Sequence, residues 1–198
     1  MGKGLSGWGL FAILAAAVTA LSGFTVRHGL DLGAIDDLIR VTARTSLVLF
    51  VAAFTARPVA QRWPQGWSRW TLRNRRYIGL AFAWSHALHG IGIALLWRYD
   101  PAAFAAKATP VTLIFGGFAY LLLALMAATS FRATATLLGP RRWRALHLVG
   151  SYYIALIFLN SYVGRAVADL AYLPLALIIV GALLLRLAPR LRRRRAAA

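Results

Sequence analysis

The sequence predicts an all-α integral membrane protein, a single domain over residues 1–198 built as a bundle of six transmembrane helices. Three observations predict it. Hydrophobic residues make up 60% of the chain and the mean hydropathy is +0.65, which places it in the membrane class. The apolar runs approach the ~20 residues needed to cross hydrocarbon, and they lack the period-two alternation of barrel strands. Finally, the cations gather in alternate connections while the five acids occupy the others, the pattern of a polytopic membrane protein.

The spans fall at about 5–26, 41–56, 77–97, 110–130, 143–163 and 167–187. The first follows a lone Lys3 and is too long for the apolar core of a signal peptide, so it is expected to be retained. The second is the weakest, because Arg40 and Arg44 stand at its start. The third and fifth are the informative ones, since they carry histidine. The fourth and sixth are apolar throughout. Between spans two and three lie Arg57, Arg62, Arg69, Arg73, Arg75 and Arg76, and between four and five lie Arg132, Arg141, Arg142 and Arg144. The tail adds Arg190 and the run 192–195. Asp31, Asp36, Asp37, Asp100 and Asp169 all fall in the opposite connections. The expected location is a bacterial inner membrane, multi-pass, with both termini cytoplasmic. Trp63, Trp67, Trp70, Trp97 and Trp143 sit near span ends, where tryptophan anchors the interface. Gly33, Gly79, Gly90, Gly92, Gly116 and Gly117 read as helix-packing positions.

Several function classes drop out. A net charge of +18 would suit nucleic acid, but cations confined to the connections between spans point to the bilayer instead, so no nucleic-acid partner is expected. The chain has no cysteine, which removes disulfides, thiolate metal sites, iron–sulfur clusters and covalent haem attachment. There is no phosphate-binding glycine loop, nucleophile–base arrangement or carboxylate cluster.

What remains are the histidines. Of four, His86, His89 and His147 lie inside apolar spans. An ionisable group there is a functional candidate by default. Side chains projecting inward from facing helices are the usual way to hold a cofactor in a bundle, and two such helices can supply the axial nitrogens of a b-type haem. His86 and His89, three residues apart, lie about 60° apart around the helix and ~4.5 Å apart along it, too close for an iron each. The expectation is one haem, with two possible, in which His147 faces His86 or His89 and the iron is low-spin. Arg44 either snorkels to the interface or pairs with a haem propionate. His28 reads as a loop histidine or a substitute ligand on the outer side.

The run Arg75, Arg76, Gly79, Leu80, Phe82, Trp84, Leu88 and His89 resembles the ferric-reductase-like transmembrane domain family. Within it, the chain is most similar to the haem-binding membrane subunits of periplasmic methionine-sulfoxide reductase systems. Thr129, Ser130, Gly139, Trp143, Leu146 and His147 match that family's fourth-to-fifth-span signature, and Arg44, Thr45, Ser46, Arg57 and Pro58 resemble its second span. The likeness covers about residues 40–165. It implies a six-helix bundle carrying electrons across a membrane through b-type haem, with His89 and His147 on the family's histidines. Asn160 stands where a second histidine of the fifth span is implied, and His86 is extra.

The expected function is therefore a membrane cytochrome b, the electron-transfer component of an oxidoreductase system. It takes electrons from a separate donor, a flavin reductase or a quinol, because the 198 residues leave no room for a flavin or nicotinamide domain. It hands them to an outer acceptor, with a periplasmic redox partner in view. The rival expectations are a non-redox haem-binding or assembly protein, and a small transporter whose histidines relay protons.

Overall fold

The computed structural model describes residues 5–195 and, of their side chains, those of 5–188. Lys3 and the side chains of Arg190 and of the run 192–195, all used above to orient the chain, lie outside that description. The helices are α1 (Gly7–Thr25), α2 (Leu32–Arg62), α3 (Gly66–Tyr99), α4 (Pro101–Lys107), α5 (Pro110–Ala128), α6 (Arg132–Ala168) and α7 (Leu173–Arg195), with one 3-10 turn, Leu170–Tyr172. No strand occurs among the described residues. Six helices are long and apolar enough to cross a membrane. Short connections make successive long helices antiparallel neighbours. One end of the bundle thus collects the arginine-rich connections and the other the aspartates.

Several helices run well beyond their apolar spans, because capping and polar turns extend them. The second span, expected to be the weakest, belongs to a helix of 31 residues. Its N-cap Asp31 accepts from the Ala34 amide at 2.8 Å, which starts the helix two turns before the hydrocarbon run. A capping box starts α3 at Gly66: the Gln65 amide donates to Ser68 Oγ at 3.0 Å and the Gln65 side chain accepts in return. Asp100 caps the unexpected α4, and Thr109 caps α5, each followed by proline at the first helical position. α6 begins at Arg132 rather than near 143, but it kinks where Gly139 takes φ 73° ahead of Pro140. The last span starts later than 167, because Asp169 leaves helical geometry and holds the Ala171 amide at 2.9 Å.

Two kinds of contact hold the bundle. The first is an apolar core in which Leu47, Phe50, Phe54, Phe82, Ile154, Phe158 and Ile179 are buried together. The second is a polar seam between α2 and α3. Ser85 Oγ meets Thr45 Oγ1 at 2.9 Å and Ser46 Oγ at 3.0 Å, all buried or nearly so. Buried hydroxyls must be paired, so the seam specifies the register of the two helices. Gly92 lets the same pair close up, since a Cβ there would stand 2.9 Å from Ile39 Cγ1. Gly79, Gly116 and Gly117, expected to pack helices, have no neighbour within 4 Å of such a Cβ. α1 docks on α3 through Trp70 Nε1 to the Leu5 carbonyl and Trp84 Nε1 to Thr19 Oγ1, both at 2.9 Å.

Candidate functional site

A cavity of about 340 Å³ opens at the arginine-rich end, a volume in the range of small-molecule sites. Its walls come from α2, α3, α5, α6 and α7. Phe50, Phe54 and Phe82 make them apolar and aromatic. His147 lines it from α6, and Arg75, Arg76 and Arg186 bring three cations to it. Among the described residues no carboxylate lines it. Gly79 leaves the α3 wall bare, so a flat group can approach the backbone there. At the side, Ala83 and Ala127 separate the cavity from an apolar groove between α1, α3 and α5, lined by Trp8, Phe11, Trp84 and Phe131.

Local contacts place each of these groups. The His147 ring lies 4.3 Å from the Trp143 ring, one helical turn back, and its Nε2 stands 3.2 Å from Thr129 Oγ1. Trp143 Nε1 donates to the Thr129 carbonyl at 2.9 Å. Trp143, read from sequence as an interfacial anchor, therefore braces the histidine. Arg186 donates to the Phe54 carbonyl, and its guanidinium carbon lies 4.2 Å over the Phe54 ring and 5.3 Å from the centre of Tyr152. Stacking of this kind holds an arginine in an apolar wall.

His86 and His89 do not line this cavity. They form a second level, with ring centres 5.2 Å apart. His89 Nδ1 lies 3.0 Å from the Ile39 carbonyl, so that nitrogen carries the proton and Nε2 is left with its lone pair. Thr42 Oγ1 stands 3.3 Å from the same nitrogen. His86 stacks on Tyr120 at 4.7 Å, and Tyr120 donates to the His86 carbonyl at 3.1 Å. The His86 ring also meets Phe158 edge-on at 6.0 Å. Phe158 is eleven residues beyond His147, so the two levels stand roughly 16 Å apart along the helix. The expected pairing of His147 with His86 or His89 on one iron is therefore not what the structure brings together. Sequence spacing gives depth only to within a turn or two, and here α3 and α6 are displaced along their axes by more than that.

The remaining candidates scatter. Arg44 belongs to the aspartate-bearing half, with its guanidinium carbon 5.7 Å from the centre of the Tyr172 ring. Asn160 is exposed on α6, and His28 is exposed in the turn after α1. Among the described residues no three His, Cys, Asp or Glu side chains gather as a metal cluster. Arg186 and the Trp143–Thr129 brace were missed from sequence. A lone arginine within an otherwise apolar last span was the available signal for Arg186.

A model of the family described as ferric reductase like transmembrane component matches residues 41–159. A protein from Rhodospirillum rubrum is 35% identical over 193 residues, covering 94% of this chain and 91% of its own length. Relatives from Azospira oryzae and Ralstonia nicotianae are 32% and 30% identical, over 77% and 70% of this chain and 68% and 62% of their own. All three are described as the heme-binding subunit MsrQ of protein-methionine-sulfoxide reductase. No solved structure matches the chain. With six membrane-length helices, matched histidine-bearing spans and relatives along nearly its whole length, this chain belongs to the ferric reductase like transmembrane family, among relatives of the MsrQ type.

Proposed function

We propose that this protein is a b-type membrane cytochrome that passes electrons from a separate donor to an acceptor on the opposite face, as part of a reductase system. The observation that carries the reading is the cavity itself: an imidazole, three arginines and aromatic walls in one open volume without a carboxylate. These residues fit a haem by the chemistry of the donor set and by the open space at Gly79. Haem, when bound, supplies one-electron cycling at its iron. His147 is the residue to ligate it there. Arg75, Arg76 and Arg186 would hold its carboxylates in charge-assisted pairs. Phe50, Phe54 and Phe82 exclude water and keep the site in low dielectric, which sets the potential. His89, with one nitrogen tied to Ile39, is prepared as a ligand at the second level, where His86 and Arg44 also belong. One haem per chain is the expected count, because only the His147 level combines an imidazole with open volume among the described residues.

The arginine-rich end is assigned to the cytoplasm of a bacterial cell, with both termini there. The arginine rim suits an anionic flavin donor or an acidic reductase, and the apolar groove beyond Ala83 and Ala127 suits a neutral quinol. A periplasmic redox partner would then take the electron. The test is an absorption spectrum of the detergent-purified, haem-supplemented protein with a haem-to-protein ratio. A Soret band at a ratio near one is expected, and its absence would overturn the reading. A histidine-relay transporter is the second reading, favoured by the polar chain from His86 through Ser46 and Ser85 to Thr45. It predicts no Soret band.

A further inference from the structure

At the aspartate-bearing end, three side chains of α2 and α6 converge around Tyr172. Tyr162 is 4% exposed, and its hydroxyl has no hydrogen-bond partner among the described residues. A buried phenol normally finds one, and leaving it unmade is costly. Its ring centre lies 6.5 Å from that of Tyr172. The guanidinium carbons of Arg44 and Arg165 each lie 5.7 Å from the centre of the Tyr172 ring. Both cations act electrostatically on the Tyr162 hydroxyl, and Arg165 also acts on His89. Neither arginine makes an ion pair among the described residues, where the two pairs are Arg40–Asp37 and Lys107–Asp36. The nearby Asp169 is engaged with the Ala171 amide. Two like charges near a membrane surface, beside an unused buried donor, form a site lacking its counter-charge.

We propose that Arg44, Arg165 and Tyr162 form an oxyanion site, in which the two guanidinium groups and the phenol O–H receive the oxygens of one carboxylate or phosphate. Two sources carry that chemistry. One is a haem carboxylate reaching from a haem held at His89, a case that rests on the proposed function above. The other is the phosphate of an anionic lipid, of the kind that basic pockets between membrane helices take.

The experiment compares wild type with Tyr162→Phe and with Arg44→Gln/Arg165→Gln, using the full chain in lipid nanodiscs. Tyr162→Phe keeps the ring and its packing, so folding is maintained, as checked by thermal unfolding. In the first arm, retention of phosphatidylglycerol against phosphatidylcholine is read by native mass spectrometry. In the second, the rate of haem loss to apomyoglobin is measured for haem and for its dimethyl ester. Hydrogen bonds to a charged group make the expected loss roughly ten- to hundredfold in each variant. A lipid source shows as lost phosphatidylglycerol preference. A haem source shows as faster loss of haem but not of the ester, which already leaves faster from wild type. If both variants match wild type in both arms, the site does not exist. If wild type binds no haem, the proposed function fails, and the lipid arm alone decides this inference.

Discussion

The sharpest consequence of the fold is that His147 and His89 do not share an iron, and a double-mutant cycle measures it. The perturbations are His147→Ala, His89→Ala and the pair, and the quantity read is haem affinity by titration of the apoprotein. The two side chains stand roughly 16 Å apart by the eleven-residue rise from His147 to Phe158, which lies at the His86 level. Sites farther apart than about 10 Å with no common partner usually add to within about 0.5 kcal/mol, or roughly twofold in affinity. His147→Ala should therefore lower affinity at the cavity by the same factor whether or not His89 is present. The apoprotein should tolerate both changes. His147 loses a ring contact with Trp143 and a bond to Thr129, and His89 loses its bond to Ile39, each worth about 1 kcal/mol. A coupling above about 1.4 kcal/mol, tenfold in affinity, would show that both histidines bind one iron and would refute the two-level geometry.

Other outcomes are expected from the same structure. Haemochrome absorbance against quantitative amino-acid analysis should give one haem per chain, and a ratio near two would assign ligands to the His86–His89 level as well. Gly92→Val should destabilise the α2–α3 pair by about 1–3 kcal/mol, because even a Cβ would lie 2.9 Å from Ile39 Cγ1, and a lowered unfolding temperature reads it. The same substitution at Gly116 meets nothing within 4 Å and should shift it little. Reduction of the haem in proteoliposomes should slow as salt rises if a charged flavin donor docks at the arginine rim. Reduction by quinol alone, indifferent to salt, would remove that docking and leave the haem assignment standing.

The sequence by itself determined that this is an all-helical six-span membrane protein, because backbone groups in hydrocarbon must be satisfied within a helix and the apolar runs have the length to span. It also determined the histidine-bearing spans, since few ionisable residues survive in such segments without a use. The helix ends escaped it. Asp31, the Gln65–Ser68 box and the Gly139–Pro140 kink act through local hydrogen bonds and backbone angles rather than through hydropathy. Only the tertiary structure decided which polar groups share a volume. The depth of a residue along one helix says little about its level on another, because axial displacement is set by packing such as Gly92 on Ile39 and Ser85 on Ser46. That displacement joins His147 to Arg75 and to Arg186, from the far end of the chain, leaves His86 and His89 to each other, and carries Arg44 to Tyr172.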